Sequence, residues 1–173
     1  MAHEHKKLNA MRFLETQGVA YETFTYDPAI LDGVHAAEAM GQPVEQVFKT
    51  LVVQLGKGDH ALVMVPAGRA LDLKKFARAI GEKKATMTTQ RGAEAATGLR
   101  KGGIGALALA HKRWGVYLDE SAQQFDAILV NGGERGVNLK VPVADLVRVL
   151  NARVVDVTTE DGGAGHSPGD ADG

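Results

Sequence analysis

The sequence predicts an α+β domain built on a mixed sheet, and three observations predict it. Segments with apolar residues three to four apart alternate irregularly with runs rich in β-branched and aromatic residues. Two of those runs, Phe48–Leu55 and His60–Pro66, flank Gly56-Lys57-Gly58-Asp59 as the arms of a hairpin would. A length of 173 residues with 45% hydrophobic content suffices for one sizeable core and is too short for two ordinary domains.

Taken in order, Leu8, Met11 and Leu14 with a stop at Gly18 define a first amphipathic helix. Residues 19–26 form a strand that ends at the Asp27-Pro28 turn signal. Residues 36–40 before Gly41 and residues 44–47 after Pro43 read as two short helices, which deliver the chain into the hairpin. Leu73, Phe76, Ala77 and Ile80 then share one helical face, closed by Gly81. Residues 88–96 fit a short helix and Gly102-Gly103-Ile104-Gly105 a loop. Residues 116–118 and 127–130 fit strands, and residues 131–136 turn into a strand at 137–141. A helix over 143–150 and a strand over 154–157 close the domain. Residues 158–173 are Gly- and Asp-rich and lack large apolar groups, so burial cannot offset their ordering entropy; a single domain over 1–157 with a disordered acidic tail is expected.

Composition excludes several function classes. With no cysteine there is no disulfide, thiolate metal site or Cys nucleophile. The six histidines never fall at i, i+4 around a Glu, so a metal enzyme is not expected, nor is any cofactor. No run approaches the roughly 18 apolar residues of a membrane helix, and no signal-type segment opens the chain, so a cytoplasmic protein is expected. Net charge is −1, but four acids and no Lys or Arg lie after Thr159, which leaves the rest with a small positive surplus. That surplus falls short of the basic balance that by itself marks a nucleic-acid binder.

Lys49 is the residue most at odds with its surroundings. It sits inside an apolar run, and period-2 alternation places it on the face of Leu51 and Val53. Either its stem packs while the ammonium snorkels from an edge strand, or a partly desolvated ammonium waits in a pocket to hold a carboxyl or phosphate oxygen. Gly102 and Gly103 make either a simple turn or a loop whose N–H groups approach a ligand closely. Tyr26, at a strand end, reads as a half-buried core aromatic with its hydroxyl at the rim. The Lys/Arg groups at 74, 75 and 78, at 83 and 84, at 100 and 101, and at 112 and 113 read as solvated faces, a subset of which could track RNA phosphates.

The order of Phe48-Lys49-Thr50-Leu51, Leu71-Asp72-Leu73-Lys74-Lys75, Gly102-Gly103-Ile104, Tyr117-Leu118-Asp119-Glu120 and Gly132-Gly133-Glu134-Arg135-Gly136 resembles the YbaK/EbsC family of aminoacyl-tRNA deacylases, from about residue 8 to residue 157. The resemblance implies a mixed, barrel-like sheet surrounded by helices. It implies removal of cysteine from Cys-tRNA(Pro), with Cys-tRNA(Cys) as a further candidate, by attack of the substrate's own thiol on its ester. It also implies catalytic roles for Lys49 and Gly102, and substrate-binding roles for Tyr26, Gly103, Ile104, Asn131 and Asn138. The partners it implies are tRNA(Pro) and prolyl-tRNA synthetase, with neither membrane nor metal. Two departures stand out. Gly105 and Ala106 replace the family's usual Ser-Pro, and Asn131 replaces its usual Ser. An Ala-tRNA(Pro) hydrolase and a non-catalytic tRNA- or synthetase-binding module of the same fold are the alternatives.

Overall fold

Helix α1 (Asn9–Thr16) buries Ala10, Met11 and Leu14 and is followed by Gly18 in the left-handed region, at φ +73°. The chain then forms β1 (Glu22–Thr25), α2 (Gly33–Met40), the hairpin β2 (Phe48–Leu55) and β3 (His60–Pro66), and α3 (Leu73–Ile80). After these come β4 (Ala85–Met87), α4 (Gln90–Thr97), β5 (Gly115–Asp119), β6 (Ala127–Asn131), β7 (Val137–Pro142), α5 (Val143–Leu150) and β8 (Arg153–Val155). The structure, a computed structural model, describes residues 7–159.

Helix starts follow their caps. Asp32 accepts from the His35 N–H at 2.9 Å to open α2, and Asp72 accepts from the Lys74 and Lys75 N–H groups to open α3. Thr89 accepts from the Gly92 N–H to open α4. Because Asp32 caps, α2 begins at Gly33, three residues before the helix expected from the apolar pattern alone.

The strands form two open sheets. One is antiparallel, in the order β1-β7-β6; the other is mixed, in the order β4-β2-β3-β5-β8. In the second, β2 runs antiparallel to β3 and β4, while β3, β5 and β8 are mutually parallel. An isolated parallel bridge between Val47 and Leu129 joins the two sheets at one corner. The α+β mixed architecture is as expected, but the barrel is not: among the described residues no further pairing closes the sheets.

Both faces of the five-stranded sheet are covered, which is why β2 and β3 read as continuous apolar runs. Phe48, Val52, Leu62 and Met64 enter the larger core with Leu14, Leu118, Ile128, Leu139 and Leu146. Leu51, Val53, Val63 and Val65 face Phe76 of α3 in a second core. The packed chain also runs past the expected boundary at Val157. Thr158 is buried and bridges Leu71, and the Thr159 N–H donates to the Ala70 carbonyl at 3.0 Å. The rest of the tail expected to be disordered lies outside the described residues.

Candidate active site

Where β1 ends, α2 begins and β2 starts, the two sheets leave a cavity of about 60 Å³. Its wall holds Tyr26, Lys49, Gly102, Ile104, Asn131 and Asn138, together with Leu31, Asp32, Gly33, Ala36, Val47, Phe48 and Thr50. One water needs roughly 10–15 Å³ on this measure, so the space accepts a group of only a few heavy atoms. Six of the seven residues singled out from the sequence therefore surround one small cavity. The seventh, Gly103, is buried behind the loop, and a Cβ on it would lie 3.0 Å from the Arg135 backbone nitrogen.

Backbone pairing explains the convergence. Asn131 and Asn138 are cross-strand partners in the β6–β7 ladder, so their side chains share a face. Lys49 is the second residue of β2, half-buried, opposite Val65, and pairing with β4 starts only at Val53. Lys49 and Asp32 are the one basic and the one acidic side chain on the wall. Burial works to raise the Asp32 carboxyl, yet hydrogen bonds from the His35 backbone and ring hold it below its ordinary value. Burial pushes the Tyr26 phenol up, against a hydrogen bond with the Gly136 backbone.

Asn138 is only 4% exposed and lines the cavity. The Thr50 hydroxyl, on the same wall, is buried without a partner among the described residues. Buried polar groups are nearly always satisfied, so an orphan against a cavity marks a place where a ligand supplies the missing partner. Asp32 and Thr50 were missed by sequence reasoning. An Asp-Gly helix start was the legible signal for the first; nothing in the apolar run distinguished the second.

The glycine loop has a defined geometry. Gly102 adopts φ +83°, and a Cβ there would sit 2.8 Å from Leu31 Cδ2. The Gly103 N–H donates to the Arg100 carbonyl at 2.7 Å. The N–H groups of Gly102 and Ile104, both on the wall, have no acceptor among the described residues. Asn131 Nδ2 donates to the Gly102 carbonyl at 2.8 Å, and Asn131 Oδ1 accepts from the Gly133 N–H at 2.6 Å. A Cβ on Gly105 would collide with the Asn131 carbonyl oxygen, so a glycine at this position goes with the close approach of the loop to the end of β6. This site can hold a small polar acyl group, offer a cation to an oxygen, and present unpaired N–H donors to developing negative charge.

Comparison with known proteins agrees with that chemistry. The sequence pattern of the aminoacyl-tRNA editing domain matches residues 27–149. The "Putative Cys-tRNA(Pro)/Cys-tRNA(Cys) deacylase EbsC" of Enterococcus faecalis is 34% identical over 158 residues, covering 90% of this chain and 96% of that protein. YwhH of Bacillus subtilis is 32% identical over 124 residues, covering 70% of this chain and 77% of that protein. Among solved structures, "a putative trans-editing enzyme for prolyl tRNA synthetase" superposes with a TM-score of 0.77 at 25% identity, over 90% of this chain and 99% of that one. The hypothetical protein APE2540 superposes at 0.80 with 20% identity, over 87% of this chain and 99% of that one, a likeness of fold. On the extent of these matches, the chain belongs to the aminoacyl-tRNA editing-domain family, in its YbaK/EbsC-like form.

Proposed function

We propose that this protein is a trans-acting aminoacyl-tRNA deacylase that removes cysteine from Cys-tRNA(Pro). The observation that carries the reading is the cavity of about 60 Å³, whose wall holds Lys49 together with Gly102 and Ile104, residues whose N–H groups have no acceptor among the described residues. A synthetase pocket that admits proline rejects residues of similar or smaller size by only about 1–3 kcal/mol per methylene, so a second site must clear its errors. A cavity this small suits such an aminoacyl group, and the cysteine assignment is supported by the name of the Enterococcus faecalis relative.

No histidine stands on the wall to activate the Thr50 hydroxyl, and the chain has no cysteine. Both facts suit the chemistry that the family resemblance implies, in which the substrate provides the nucleophile. Its thiol sulfur bonds to the ester carbonyl carbon and the bond to the terminal ribose oxygen breaks. The thiol proton ends on the released ribose hydroxyl, giving a thiolactone and free tRNA. That step is an intramolecular acyl substitution that consumes no water, so a lyase label is as apt as a hydrolase one. The protein orients the thiol, places N–H donors at the oxyanion and anchors the substrate through Lys49. Tyr26, Ile104, Asn131 and Asn138 shape the pocket around the aminoacyl group. Outside the cavity, Lys74, Arg78, Lys83 and Lys84 line a second concavity, which suits a partner rich in phosphate.

The test is the rate of deacylation of Cys-tRNA(Pro), Cys-tRNA(Cys) and Ala-tRNA(Pro) by the wild type and by Lys49→Ala. Loss of cysteine, reduced at least 100-fold by the substitution while alanine persists, is the expected result. Turnover of alanine alone would replace the thiol mechanism with hydrolysis by water. No turnover of any of the three, with tRNA still bound, would leave a binding module. Choice among tRNAs is assigned to prolyl-tRNA synthetase as partner, and failure of the two proteins to crosslink in the presence of tRNA would refute it.

A further inference from the structure

We infer that Arg135, which does not line the cavity, is a positioning residue that aims the Gly102 N–H into it; the inference rests on the deacylase reading and deepens it. The Arg135 Nε–H donates to the Lys101 carbonyl oxygen at 2.6 Å. That carbonyl and the Gly102 N–H belong to the same peptide unit, whose planarity and trans geometry make the two bonds point in opposite directions. Holding the carbonyl toward Arg135 turns the N–H away from Arg135, and Gly102 lies on the cavity wall with that N–H lacking an acceptor among the described residues. Without the anchor this unit would be free to rotate, because glycine at φ +83° has no side chain to resist it.

The neighbouring peptide is anchored separately. Asn131 holds the Gly102 carbonyl, and the Gly103 N–H is held by Arg100. Arg135 is thus the side chain that fixes the one peptide whose N–H is available to an oxyanion at Gly102. Its stem supports the same loop, since a Cβ on Gly102 would stand 3.4 Å from Arg135 Cγ. A guanidinium suits the task because Nε–H is a donor fixed in the plane of a rigid fork, whereas a lysine ammonium rotates freely.

The experiment compares wild type, Arg135→Ala and Arg135→Lys in steady-state deacylation, with added ethylguanidinium and with the orientation of the Gly102 N–H bond read by NMR residual dipolar couplings. Removing one preorganised oxyanion donor costs about 10²–10³-fold in kcat. For Arg135→Ala we expect a kcat loss of about 100-fold, a KM within about twofold of wild type, a changed Gly102 N–H coupling and at least tenfold recovery with ethylguanidinium. Arg135→Lys is expected to keep the fold and remain at least tenfold slow in kcat, which keeps the proposal falsifiable should the alanine variant unfold. Wild-type kcat in both variants, a change confined to KM, or no rescue of a folded Arg135→Ala would overturn the positioning role. If wild type turns over no aminoacyl-tRNA, the deacylase reading fails instead; an unchanged Gly102 N–H coupling in the variants would then overturn the positioning role by itself.

Discussion

Asn131 spans from the end of β6 to the glycine loop, its Nδ2 2.8 Å from the Gly102 carbonyl oxygen while its Oδ1 receives the Gly133 N–H at 2.6 Å. The amide is thereby oriented without ambiguity, since a carbonyl can only accept and an N–H can only donate. Its principal partners are protein, not substrate, although one Nδ2 hydrogen remains for a ligand. Asn131→Ser shortens the side chain so that a hydroxyl cannot bridge both groups. We expect a loss of stability of about 1–3 kcal/mol by urea denaturation, as for other unmade hydrogen bonds at part-buried groups, together with slower deacylation. Unchanged stability and rate would show that the bridge does not hold the loop.

Asn138 predicts the opposite sign for stability. Asn138 is 4% exposed and lines the cavity, so holding a carboxamide there carries a desolvation cost. Asn138→Leu, close in shape, removes that cost: we expect unchanged or higher stability, by up to about 1 kcal/mol, and at least a tenfold loss of kcat/KM. A variant that lost stability while keeping its activity would mark Asn138 as a structural residue.

Parts of this arrangement were legible in the sequence because they are local. β2, β3, α3 and α5 fall where period and glycine stops placed them. The three-residue β4 was too short to carry a period, and residues 106–112, a 3-10 helix, have eclipsed side chains that leave no amphipathic signature. The parallel pairings of β3 with β5 and of β5 with β8 join segments far apart in the chain, so no hairpin signal announces them. Of the site, Lys49 stood out as a charge in an apolar run, and Gly102 as half of a glycine pair. Arg135 did not, since its part depends on which carbonyl a surface-type side chain meets, and only the fold decides that.

Asp119 holds the end of β5 to the segment that follows β8. Only 1% exposed, it accepts from the Val157 N–H at 3.0 Å through one oxygen and from the Ser121 N–H and hydroxyl through the other. Asp119→Ala leaves three donors without their acceptor, each costing about 1 kcal/mol or more when buried. We expect roughly 3 kcal/mol of destabilisation and faster proteolysis near residues 155–159. A loss below about 1 kcal/mol would show that water or another acceptor replaces the carboxylate.

Asp32 and His35 give the site a pH dependence whose sign is fixed by their contact. The His35 ring Nδ1 lies 2.5 Å from Asp32 Oδ2, and the hydrogen bond and charge of that carboxylate raise the imidazole above its ordinary value of 6.5. His35 lies in the first turn of α2, where the helix dipole disfavours a cation, so the nearer carboxylate must outweigh the dipole. A raised folded value means that the stability His35 contributes is complete below pH 6.5 and is lost as pH rises through that value. For Asp32, held below 3.8, the contribution is present above pH 3.8 and is lost as pH falls through the lowered value. The ion pair is therefore intact between these limits and sits at the cavity wall through Asp32. In an NMR titration we expect His35 to titrate above 6.5 in wild type and to return toward 6.5 in Asp32→Asn. The same substitution should flatten the fall in stability between neutral and mildly alkaline pH. A His35 value that does not move on substitution would mean that Asp32 is not its partner in solution, and the pH dependence would have to arise elsewhere.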